Sequence, residues 1–167
     1  VELDVTVQLQ AQAWKQRLRP YCKIVRDTCR AALEDTKLAD MRCSFEIAVV
    51  LADDAFIKTL NHTYRGKNKP TNVLSFPSDE RIERHVKSLT KAQKDFALGD
   101  IVLALETIDS ECEAQQKSFR HHVMHLLVHG TLHLLGYDHE DDKQASQMEK
   151  KEIKILEKLG VKNPYLS

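Results

Sequence analysis

His129, His133 and His139 stand with Gly136 in the short run from Val128 to Glu140, an unusual density of imidazole for a soluble chain. If Leu126 to Leu135 is helical, His129 and His133 lie four residues apart on one face, roughly 6 Å apart at Cβ. That spacing suits two imidazoles closing on one metal ion. Gly136 then ends the helix, because a residue free to adopt positive φ is a common exit, and the turn Gly136-Tyr137-Asp138 can return His139 to the same point. A histidine pair at helical spacing on an apolar helix is more often core or rim than ligand. The third histidine, placed beyond a glycine turn, shifts the reading to a metal with three nitrogen ligands and an open position for water or substrate.

Written as residue types, His129, His133, Gly136 and His139 reproduce the H, H, G, H skeleton of the metzincin peptidase signature. The glutamate that follows the first histidine there, and serves as general base, is replaced by Gly130. The metal ligands are kept and the peptidase base is not. Gly130 is expected to leave space beside the ion, and Asp138 is a candidate acceptor that orients a ligand histidine.

A helix from Ser118 to Leu135 must carry the first two histidines. Val123, Met124, Leu126, Leu127, Val128, Leu132, Leu134 and Leu135 cover nearly its whole circumference, the pattern of a buried helix. Its interruption is a seam of His121, His125, His129 and His133 that must face a cleft. His121, His122 and His125 are read as solvent or cleft-edge groups, since only the Gly136 turn gives a third ligand a route to the ion.

The other elements follow from periodicity. Val1 to Val7 alternates as a half-buried strand, and Ser44 to Leu51, Asn72 to Phe76 and Asp100 to Leu105 read as three more. Apolar residues at spacings of three and four predict a helix from Ala11 to about Asp35, kinked or restarted at Pro20. Asp53 and Asp54 open a short helix reaching Tyr64. A helix to about Gln115 follows the fourth strand, and a last amphipathic helix from about Asp141 to Leu159 is capped by Gly160. The polar connection from Pro77 to Leu98 is read as partly helical around Arg81 to Leu89.

Length bounds the architecture to one domain over residues 1–167. The four cysteines show no C-x-x-C pair or framework spacing, and no secretory or membrane-spanning run is present, which predicts a cytoplasmic chain with no membrane partner. Basic and acidic residues balance at 25 each, yet the segment from Lys58 to Lys94 holds nine basic residues and three acidic ones. Most charge runs are solvated loops; this one nudges the reading toward a polyanion.

At the residue level the chain resembles a known family. His129-Gly130-Thr131-Leu132-His133-Leu134-Leu135-Gly136-Tyr137-Asp138-His139 closely resembles the signature of the YbeY endoribonucleases, bacterial ribosomal-RNA maturation factors. Asn61, Tyr64-Arg65-Gly66-Lys67 and Pro70-Thr71-Asn72-Val73-Leu74-Ser75-Phe76-Pro77 resemble the family's other signature, and Leu98-Gly99-Asp100-Ile101-Val102 its fourth strand. The resemblance implies an α+β fold, a small mixed four-stranded sheet covered by about five helices, one of them buried and histidine-bearing. It also implies one zinc ion on His129, His133 and His139, and cleavage of single-stranded RNA in maturation of the 16S ribosomal RNA 3′ end and in ribosome quality control. Arg65 and His129 are then the candidate catalytic residues, Lys67 and Lys69 candidate RNA contacts, and ribosomal subunit components candidate partners; no DNA partner is expected. Two alternatives remain open: a metzincin-like metallopeptidase with another base, and a non-catalytic ribosome-associated zinc protein whose fourth position is closed by a cysteine such as Cys43 or Cys112.

Overall fold

The computed structural model describes residues 1–78 and 95–166. Apolar alternation sets four strands: β1 (Glu2–Leu9), β2 (Ser44–Ala52), β3 (Val73–Pro77) and β4 (Asp95–Ala104). They form one mixed sheet in the order β1-β2-β4-β3, with β1/β2 and β2/β4 parallel and β3/β4 antiparallel. Central β4 is buried on both faces. Leu98, Ile101 and Leu103 join the large core with Trp14, Phe45, Val49 and Leu127, whereas Val102 and Ala104 meet Ile57 and Leu74 on the other side. Because successive strand residues point to opposite faces, the single apolar run Ile101-Val102-Leu103-Ala104 serves both cores.

Among the described residues six α-helices surround the sheet: α1 (Trp14–Arg17), α2 (Tyr21–Glu34), α3 (Asp54–Arg65), α4 (Leu105–Gln115), α5 (Phe119–Leu134) and α6 (Asp142–Lys158). A 3-10 turn at Lys37–Asp40 leads into β2. Side-chain caps fix three starts. Asp53 accepts from Phe56 N, Ser118 from His121 N and Asp141 from Gln144 N, each satisfying a donor that the first helical turn leaves open. The buried helix is α5: Val123, Leu127, Val128 and Leu132 are fully enclosed, and it packs on α2, α4, α6, β3 and β4.

Two boundaries differ from the sequence reading. The expected kinked helix from Ala11 to Asp35 is two helices, with Leu18 extended and Pro20 capping α2, because proline lacks an N–H and drives the residue before it out of helical space. The fourth strand begins at Asp95, not Asp100. Its first residues pair with Ser44 to Glu46 before a register shift at Glu46/Ile47, and this irregularity interrupts the alternation that would have revealed them. The helical stretch expected at Arg81 to Leu89 lies outside the described residues. These elements make a single α+β domain, and no helix among the described residues is long and apolar enough to cross a membrane.

Candidate metal centre

The last turn of α5 brings the histidines together. His129 and His133, one turn apart, hold their Nε2 atoms 3.1 Å apart with ring centroids at 4.5 Å. Gly136, at φ 98°, then reverses the chain: its N–H bonds to His133 O and the Tyr137 N–H to Leu132 O, the paired closure that a left-handed residue past a helix end permits. A side chain bearing Cβ would be strained there. The turn returns His139, whose ring lies 5.0 Å from that of His133 and 5.6 Å from that of His129. One nitrogen from each of the three lies within 4.8 Å of the others, and the group can hold a metal ion.

The donor set fits a tetrahedral ion. Zinc–nitrogen bonds of 2.0–2.1 Å place ligand nitrogens roughly 3.3–3.4 Å apart, close to the separation of His129 and His133. His139 is half exposed on its loop. Neither Cys43 nor Cys112 belongs to the group, so the cysteine-closed arrangement finds no support among the described residues. Beside the histidines opens a cleft of about 720 Å³. Arg65, Asn72, Ser75 and Asp138 are among its walls.

Several sequence expectations are corrected here. Gly130 does not leave room beside the ion: a Cβ there would meet Ser75 Oγ at 3.1 Å and Ile101 Cγ2 at 3.2 Å, so the glycine lets α5 approach the sheet. Asp138 is not the acceptor that orients a ligand; its Oδ1 accepts from the His139 backbone N–H at 2.7 Å and lies 4.0 Å from His139 Nδ1. That place is taken by Glu152, whose Oε1 is 2.8 Å from His129 Nδ1. His122 is not a surface residue. It is buried with Nε2 3.1 Å from Glu111 Oε1, and Glu111 also accepts from the amide of the cleft residue Asn72 at 3.0 Å. His125 packs inward against Glu152 and Tyr165, while His121 is exposed.

Arg65 is the last residue of α3 rather than part of a loop, followed by Gly66 at φ 68°. Its side chain is exposed, lines the cleft and makes no ion pair among the described residues. Lys67 and Lys69 are exposed on the next turn, which the Asn61 amide ties down by donating to Lys69 O at 2.8 Å; they do not line the cleft. Glu152 escaped the sequence reading because it is distant in sequence. Its signal was present all the same: it sits on the buried stripe of α6 with Met148, Ile155 and Leu156, where a carboxylate requires partners.

The electrostatics keep the cluster ready for a cation. Burial, then the neighbouring His129 and His139, hold His133 down at about 4, so its imidazole is neutral at neutral pH. Burial alone would raise Glu152, but hydrogen bonds from His125, His129 and Tyr165 outweigh it and hold the carboxyl at about 2. The ordinary histidine value near 6.5 applies in the unfolded chain, so the unfolded state takes up the His133 proton first. The contribution of His133 to the stability of the metal-free protein is therefore full above about pH 6.5 and falls as pH drops toward 4. Since His133 opens partly to water, screening reduces its contribution to about 1 kcal/mol, roughly 2–4 °C in melting temperature. Glu152 remains ionised through that window and adds its own loss only between about pH 4.5 and 2. Thermal melting of chelated protein at pH 7 and pH 5 checks this; an equal or higher melting temperature at pH 5 contradicts it.

Fold and cluster define a class: an α+β domain with an open three-histidine centre at a polar cleft. Residues 7–160 match the model for the endoribonuclease YbeY, and the chain belongs to that family. It is 39% identical over 167 residues to an endoribonuclease YbeY of Rhizobium etli, covering 98% of this chain and 94% of the relative. It is 49% identical over 122 residues to that of Magnetococcus marinus, covering 72% and 83%. A solution structure of TM1509 from Thermotoga maritima superposes with a TM-score of 0.60 at 23% identity, over 93% of this chain and 89% of that one, a likeness of fold. Membership supports an endoribonuclease role.

Proposed function

We propose that this chain is a zinc-dependent, single-strand-specific endoribonuclease of the cytoplasm, acting on ribosomal RNA at the 3′ end of 16S rRNA and in ribosome quality control. The observation that carries the reading is the convergence of His129, His133 and His139 at a cleft that Arg65 also lines. One zinc ion per chain would be held by these three histidines. When bound, it supplies Lewis-acid polarisation and a lowered pKa for water, which removes the need for a carboxylate at the position of Gly130. Arg65 presents a planar fork of donors to the nonbridging oxygens of a phosphodiester as their charge grows. His129 serves the reaction as a metal ligand, with Nε2 toward His133 and Nδ1 anchored to Glu152.

Lys67 and Lys69 extend positive charge beyond the cleft along the path of a bound strand. Lys67→Glu and Lys69→Glu are expected to weaken RNA binding and flatten its salt dependence, each by roughly 0.7 in the slope of log K against log salt for a lost single-strand phosphate contact. Binding measured across a salt series reads this. An unchanged slope removes both lysines from the interface.

The function is tested by incubating zinc-replete protein with single-stranded RNA, duplex RNA and casein in parallel. Cleavage of the single strand in preference to the duplex, with casein intact, is expected. Casein cleavage exceeding RNA cleavage would replace this reading by the metallopeptidase, and RNA bound but uncut by the non-catalytic ribosomal protein.

A further inference from the structure

Glu152 is 1% exposed and sits among apolar residues of α6. A carboxylate in such surroundings is costly unless its oxygens are satisfied. Three donors reach it. His129 Nδ1 lies 2.8 Å from Oε1, the Tyr165 hydroxyl donates to Oε2 at 2.6 Å, and His125 Nε2 approaches Oε1 at 3.4 Å. The Tyr165 hydroxyl also lies 3.2 Å from His125 Nε2, with the two rings edge to face at 5.3 Å. Helix α5, helix α6 and the turn that follows α6 thus meet at one buried carboxylate, directly behind the metal-facing histidines.

We propose that Glu152 and Tyr165 are positioning residues of the three-histidine centre: Glu152 fixes the ring proton of His129 on Nδ1, and Tyr165 holds Glu152 in place. An ionised carboxylate only accepts hydrogen bonds, so the nitrogen 2.8 Å from Oε1 carries the hydrogen. A neutral ring protonated at Nδ1 keeps its lone pair on Nε2, and Nε2 is the atom that faces His133 Nε2 at 3.1 Å. A carboxylate behind a ligand imidazole fixes ring orientation and raises its basicity. Here that function is supplied from outside the histidine motif, by α6 and the C-terminal turn. Although its ring is 44% exposed, Tyr165 is then part of the centre through its hydroxyl.

The inference rests on the proposed metal centre, and its test separates the two. Full-length protein labelled with 15N at histidine, stripped of metal at neutral pH, is compared with Glu152→Gln and Tyr165→Phe by long-range proton–nitrogen correlation spectra, which read each ring's tautomer. Zinc affinity is then measured by competition with a chromophoric chelator, and melting temperature is followed throughout. Wild-type His129 is expected as the Nδ1–H tautomer. Glu152→Gln is expected to mix or reverse it and to weaken zinc binding 10- to 100-fold. Tyr165→Phe, a milder change at a half-exposed turn, is expected to retain the fold, perturb the His129 signals and weaken zinc binding by up to about tenfold. An Nε2–H tautomer at His129 in wild type overturns the proposal, as do tautomer and zinc affinity that stay at wild-type values in folded Tyr165→Phe. A wild type that shows the Nδ1–H tautomer but binds no zinc would instead overturn the metal-centre reading while leaving the positioning of His129 established.

Discussion

Arg65→Ala is expected to slow cleavage of a short single-stranded RNA by about 10²–10³-fold, the usual cost of removing one donor aimed at developing charge. Zinc content and melting temperature should remain those of the wild type. Arg65 is not in the histidine group, and its exposed side chain leaves α3 at the cleft without an ion-pair partner among the described residues. Truncation therefore removes a donor and no packing. Arg65→Lys should recover little of the rate, because a point charge on a flexible stem does not reproduce two parallel donors. Single-turnover cleavage at saturating enzyme separates this from a binding role, in which lysine would restore most of the activity. Near-normal cleavage by Arg65→Ala, or a loss that follows unfolding, returns Arg65 to the surface.

His133→Ala is expected to abolish stoichiometric zinc, since the two nitrogens that remain hold the ion poorly. The effect should exceed that of Glu152→Gln, which disturbs a ligand's orientation without removing a ligand. Elemental analysis of both proteins, purified without chelators, reads the outcome directly. Equal zinc in mutant and wild type, or none in the wild type, removes the ion from these residues.

The sequence exposed those parts of the fold and site that are local. The seam His129-His133 and the Gly136 turn are determined within eleven residues of chain, and the structure closes them through helix spacing and a left-handed glycine as the sequence predicts. Alternation exposed β1 and β2, whereas the first half of β4 was hidden by a register shift that only pairing with β2 imposes. Gly130 was misread because its environment, Ser75 and Ile101, comes from two strands that sequence order does not place beside α5. Glu152 was missed for the same reason. A buried carboxylate on an amphipathic stripe announces that it needs partners, but which partners it meets depends on how α6 packs against α5. His122 shows the converse: its position along α5 gave no sign that Glu111 of α4 would bind it.

The most direct test of the account is RNA cleavage as a function of zinc occupancy. Protein stripped of metal and titrated with zinc should be inactive on single-stranded RNA when empty, and its single-turnover rate should rise linearly to a plateau at one ion per chain. His133→Ala should stay flat through the same titration. Full cleavage by the metal-free protein, or a rate indifferent to added zinc while the ion demonstrably binds, would contradict the account.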